Sequence, residues 1–187
     1  MDRFHIENYT VYVLGFRDLY IESPASFIRI LRETCKPAEI QILRADSILN
    51  LEHIRLAILY ALKSFERSVN IAKTLTLEIL LKIAAEDQID KALAKSGLKK
   101  GRQDIVIIVF SENREYAEAA LSKVIEILGE ETGPNMLRDI DEEKIKKIID
   151  LFGISEERLK AEYMYPDIEA ALLHILLEDM ALTILRR

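Results

Sequence analysis

One cysteine, six glycines and four prolines are all that the 187 residues hold of these types. A single thiol, Cys35, cannot close an internal disulfide, and with no second cysteine and no histidine cluster a structural zinc site has no obvious ligands. A reducing, cytoplasmic setting is the expectation. The scarcity of glycine and proline excludes fibrous and low-complexity architectures. No uninterrupted apolar run approaches the ~18 residues of a membrane span. The amino-terminal stretch MDRFHIENYTVYVLGF is charged from its second residue and has no signal-peptide apolar core.

Catalytic signatures are missing as well. Neither G-x-x-x-x-G-K nor G-x-G-x-x-G occurs, and the run Gly97-Leu98-Lys99-Lys100-Gly101-Arg102 precedes a strand where a phosphate loop must follow one. Cys35 stands next to Lys36-Pro37 with nothing in the sequence to activate it. His5, His53 and His174 are far apart and lie in no metal-binding or triad pattern, so His53 reads as a surface or boundary residue of a helix. Acidic pairs such as Glu130-Glu131 and Glu142-Glu143 read as solvated charge. The sequence therefore points to a non-enzyme without metal or cofactor.

What is present is half apolar and 31% charged, the make-up of a helix-rich globular domain with a sizeable core. The net charge of −6 is unevenly spread. Residues 1–111 carry 16 Lys+Arg against 14 Asp+Glu, and residues 112–187 carry 10 against 18. A nucleic-acid surface is thus expected in the first part of the chain.

Apolar patterning predicts strands over 9–16, 39–44 and 104–110. It predicts a short helix opened by Ser23-Pro24 and a long one in 45–68 with Leu51, Ile54, Ile58, Ala61, Leu62 and Phe65 as its stripe. Asp46, Ser47 and Asn50 are all candidate caps for the long helix. Further helices are expected over 74–84 and 88–96, the latter ended by a left-handed Gly97. Another spans 113–128, with Tyr116, Ala119, Ala120, Val124, Ile127 and Leu128 near one face. A charged helix over 141–151 stops at Gly153, and a last helix has Pro166 in its first turn. Strands interspersed with helices suggest an α/β (mixed α+β) single domain over 1–187, with a small mixed or mainly antiparallel sheet covered by several helices.

The stretch from Asp46 to Phe110 resembles the KEOPS regulatory-subunit family, that of the PRPK-binding protein (TPRKB) and its archaeal counterparts. The likeness lies in LEHIRLAILYAL with His53 and Ala57, in NIAKTLTLEILLKIAAEDQIDKALAKSGL and in DIVIIVF. Asn70, Lys73, Leu75, Glu78, Ile79, Gln88, Ile89, Ala92 and Gly97 hold the family spacing, and Glu178, Ala181 and Leu182 extend it to the last helix. Where archaeal members carry Ser-Gly and basic residues before the Gln-Ile pair, this chain has Ala84-Ala85-Glu86-Asp87, which argues against a phosphate contact at that turn. The resemblance implies a non-catalytic subunit that binds the small atypical kinase/ATPase of KEOPS. It also implies recruitment of tRNA by its 3′ CCA end for threonylcarbamoyladenosine formation by a separate subunit.

On this reading the RNA-contacting candidates are Arg55, Lys63, Arg67, Asn70, Lys73 and Gln88. The cations would neutralise phosphates, and the amides would hydrogen-bond exposed base edges. Ordinary solvated charge is the competing explanation. Glu78 is expected to be structural, pairing with Lys82 one turn on. The last helix, at about 166–185, is apolar on too many sides for one stripe. Its partner-binding candidates are Leu172, Leu173, Ile175, Leu176, Met180, Ala181 and Ile184. A core helix or a homodimer contact are the alternatives for it, and an interaction or kinase-regulating module without RNA binding is the alternative for the whole chain.

Overall fold

The β-branched, aliphatic and aromatic residues of YTVYVLGF, EIQILR and DIVIIVF form strands because their side chains pack on a pleated surface. The computed structural model describes residues 1–162 and 165–183. Strands β1 (Asp2–Ile6), β2 (Tyr9–Ile21), β3 (Glu39–Arg44) and β4 (Gly101–Ser111) make one antiparallel sheet in the order β1-β2-β4-β3. The expected mixed α/β class, with a mainly antiparallel sheet and several covering helices, is what the chain adopts. Two compact units can be distinguished: Met1–Ala45 with Gly97–Met136, and Asp46–Ser96 with the described residues from Leu137 on.

In the first unit, the central strand β4 pairs along both sides, Ile107 facing Leu14 on β2 and Ile42 on β3. Its residues Ile105 to Phe110 are all fully buried, hence the near-continuous apolar run. One sheet face meets helices α1 (Pro24–Cys35) and α5 (Arg114–Leu128). Tyr12, Leu14, Phe16, Ile40, Ile42, Ile107 and Val109 pack there with Leu31, Cys35, Ala117, Ala120 and Val124. Each large side chain buried this way is worth ~1.5–3 kcal/mol relative to exposure. Ser23 caps α1 by accepting from the Ser26 N–H, as its position before Pro24 suggests.

The edge of β2 beyond its pairing with β1 is occupied by the segment 131–133. The Gly15 N–H donates to Glu131 Oε1 (2.7 Å), the Arg17 N–H to Thr132 Oγ1 (2.7 Å), and the Gly133 N–H to the Gly15 carbonyl (2.9 Å). This close approach requires glycine at position 15. A Cβ there would lie 2.5 Å from the Gly133 carbonyl oxygen and 2.9 Å from Met136 Sδ.

The second unit is helical: α2 (Leu51–Glu66), α3 (Leu75–Ala84), α4 (Ile89–Ser96), α6 (Glu142–Phe152), α7 (Glu156–Ala161) and α8 (Ile168–Leu182). Of the three candidate caps, Asn50 is the one used, accepting from the His53 N–H, while 45–47 form a separate 3-10 turn. Leu49, Ile148, Ile154, Leu172, Ile175 and Leu176 form its apolar cluster.

Several expectations are corrected. Strand β1 was not foreseen, nor was α7. Left-handed geometry in the α4–β4 connection belongs to Gly101 (φ 117°), and Gly97 is not among the residues with positive φ. The buried face of α5 is Ala117, Ala120 and Val124; Tyr116, Ala119 and Ile127 point outward, because the stripe begins one residue later than read. Pro166 lies before the α8 cap, Asp167, not inside the first turn. His53 is fully buried, with Nδ1 accepting from the Leu49 N–H at 3.2 Å and its ring edge-on to Phe152. A helix whose apolar residues are interrupted by one ring that satisfies a backbone donor reads, by pattern alone, as having a polar boundary there.

Candidate binding surfaces

The α2 helix carries a second, weaker apolar row at Leu56, Leu59 and Tyr60, one turn apart and half-buried. Together with Val69 these residues floor a groove of about 540 Å³, lined also by Lys63, Ser64 and Arg67. The Ser64 hydroxyl is turned inward onto the Tyr60 carbonyl (2.8 Å). The groove is therefore lined by apolar side chains and Tyr60 together with two basic residues.

The six RNA-contacting candidates do not stand in equal positions. Arg55 and Lys63 face carboxylates on their own helix, Glu52 at 3.5 Å and Glu66 at 2.8 Å. Arg67 is exposed at the α2 carboxyl terminus and lines the groove. Asn70 turns its amide back on the Ala72 carbonyl (2.9 Å), which shapes the connection to α3. Lys73 is exposed and forms no ion pair among the described residues. Gln88, exposed, accepts the Ala92 N–H with its backbone carbonyl as α4 begins. Arg67 and Lys73 thus bracket the connection 67–74.

That connection is held from beneath. Glu78 is fully buried, and its Oε2 accepts from the Ile71 and Ala72 N–H groups, both at 2.8 Å. Its Oε1 faces the Lys82 ammonium at 3.3 Å, and Lys82, also fully buried, donates to Thr183 Oγ1 at 2.8 Å. The expected Glu78–Lys82 pair exists, but as an interior pair with charge-assisted hydrogen bonds. The turn before Gln88 is closed by Lys95, which pairs with Glu86 (2.5 Å) and donates to the Ala84 carbonyl. Ala85 there is left-handed (φ 51°), the conformation a glycine adopts freely.

On α8, Leu172, Ile175, Leu176 and Met180 are fully buried in the chain's own interior. Leu173 and Ala181 are half-buried, and Ile168 and Leu182 are exposed at 44% and 42%. Ile184 lies outside the described residues. Sequence reasoning did not name Leu56, Leu59, Tyr60 and Val69, although their spacing along α2 was the available signal.

Potential nucleophiles and bases are quiet. Burial pushes the Cys35 thiol up, with Lys123 opposing it. Burial pushes His53 down to about 3, with Lys144 acting in the same sense and the Ile83 backbone opposing, so the ring is neutral at neutral pH. Among the described residues no helix is long and apolar enough to cross a membrane.

The family described as kinase binding protein CGI-121 matches residues 21–183. The chain belongs to the CGI-121 family. The match takes in α1 through α8, so the grooved α2 surface, the 67–74 connection and α8 all lie within the family's span. A search among curated proteins found no match. Kinase binding is the role by which the CGI-121 family is described.

Proposed function

We propose that this CGI-121 family member is a non-catalytic, cytoplasmic subunit of the KEOPS assembly, holding the atypical kinase/ATPase and recruiting tRNA through its 3′ CCA end. The observation that carries the RNA part is the α2 groove. It is lined by Tyr60 and Arg67 beside the apolar Leu56, Leu59 and Val69, and the exposed Lys73 lies further along the connection that Arg67 begins. Unpaired bases are recognised by stacking on aromatic and guanidinium planes, and cations take the phosphates. Because the Ile71 and Ala72 amides already serve Glu78, contacts from this connection come from side chains.

The test is a filter-binding titration of intact tRNA and of tRNA trimmed of its CCA end. Tyr60→Ala should cost ~1–3 kcal/mol with intact tRNA and little with the trimmed form. Lys73→Glu should weaken both and lower the salt slope by about one. Equal affinity for the two tRNAs would remove the CCA reading; unchanged binding in both variants would move the site elsewhere. No RNA binding at all would leave the protein-interaction module.

The kinase contact is proposed on the accessible side of α8. Charge at Met180 would disrupt the interior rather than probe a surface, so Leu182→Glu is the informative variant. Loss of co-purification with the KEOPS kinase from a folded Leu182→Glu chain supports the contact. A surviving complex would reject it.

A further inference from the structure

His174 and Glu178 are one turn apart on α8, so both side chains leave the same helix face. The C-terminal end of α7 brings Glu162 to them, with Oε2 3.0 Å from His174 Nδ1. One donor atom from each of the three residues lies within 4.8 Å of the others. The His174 Nδ1 atom is buried and, despite the nearby carboxylate, makes no hydrogen bond of acceptable geometry. The Tyr165 ring lies against the imidazole at a centroid distance of 4.8 Å, tilted by 34°. Glu162 and Tyr165 also line a cavity of about 370 Å³ between α7 and α8.

We propose that Glu162, His174 and Glu178 form a three-ligand site for a divalent transition metal of the zinc class. One imidazole and two carboxylates suit Zn²⁺, and three protein ligands leave a coordination position for water. In a tetrahedral site with metal–ligand distances of about 2.0–2.2 Å two donors stand about 3.4 Å apart, so the widest pair must close by about 1.4 Å. Glu178, with its side chain 48% exposed, can supply that movement. The competing cation is Arg158, but it holds Glu178 only at 3.4 Å and grips Asp179 through two nitrogens at 2.9 and 3.0 Å. Arg158 can therefore release Glu178 and stay anchored.

Calorimetric titration of the full chain with Zn²⁺, and absorption spectra with Co²⁺, test the site. One metal ion should bind per chain and raise the melting temperature. His174→Ala and Glu162→Gln should each weaken binding at least ~10-fold, on the scale by which loss of even an outer-shell partner weakens metal sites. His5→Gln, far from the cluster in sequence, should leave it unchanged. Circular dichroism establishes that the variants are folded, and Glu162→Gln tests the site even where removing the imidazole perturbs α8. The proposal is overturned if the wild-type chain binds neither ion, if both folded site variants bind as wild type does, or if His5→Gln abolishes binding.

Discussion

The two compact units solve the problem of burial differently. The sheet unit satisfies its backbone through the ladder, and the core between the sheet and α1 and α5 is almost wholly apolar. The helical unit buries His53, Ser64, Glu78, Lys82, Ser96 and Thr183 in the gaps between short helices. Helix ends and connections leave orphaned amides and carbonyls, and in this unit interior side chains attend to them: His53 to Leu49, Glu78 to Ile71 and Ala72. The sheet unit gains stability chiefly from shape. The helical unit depends on polar partners that must all be present together.

Breaking one partner should therefore hurt more in the helical unit than a steric insult does in the sheet unit. Lys82→Met leaves the Glu78 carboxylate buried without its cation and should cost about 3–5 kcal/mol in urea unfolding. A cost under ~1 kcal/mol would mean that the pair contributes nothing. The His53 ring gives the second test. Above about pH 6.5 it is neutral in both folded and unfolded chains and adds no pH dependence. Between there and its native value of about 3, the unfolded chain takes up a proton that the folded chain refuses, so stability falls as pH falls. The whole window is worth on the order of 5 kcal/mol. The stability difference between wild type and His53→Leu should shrink steadily through it, and a flat difference would contradict the buried neutral ring.

Two milder changes sharpen the contrast. In the sheet unit, Gly15→Ala drives a methyl against the Gly133 carbonyl and Met136, and should cost about 1–3 kcal/mol by the same unfolding measurement. In the helical unit, Ala85→Gly relieves a left-handed alanine and should raise stability by about 0.5 kcal/mol. A destabilised Ala85→Gly chain would show that the buried methyl outweighs the backbone strain.

The sequence disclosed most of the elements, because β2, β3, β4, α3 and α6 carry clean periodicities and explicit caps. Strand β1 escaped because DRFHI is short and mostly polar, and it becomes a strand only by pairing with β2. The roles of the interior residues were half legible. Glu78 and Lys82 sit at helical spacing and announce a pair, but nothing local says that the pair is interior or that Thr183 completes it. His53 was misread because its acceptor role depends on the Leu49 N–H in the turn before the helix. Of the proposed RNA-contacting candidates, Arg67 lines the groove, whose apolar residues Leu56, Tyr60 and Val69 come together only in the folded chain. Glu162 joins His174 by tertiary placement alone.

The segment 131–133 lies where a neighbouring molecule's strand would otherwise find open donors and acceptors. By filling the β2 margin past β1 with an acidic side chain, a threonine hydroxyl and one backbone bond, the chain denies that margin to intermolecular β-pairing. That part of the sheet margin is thereby closed by the chain itself, without a neighbouring strand.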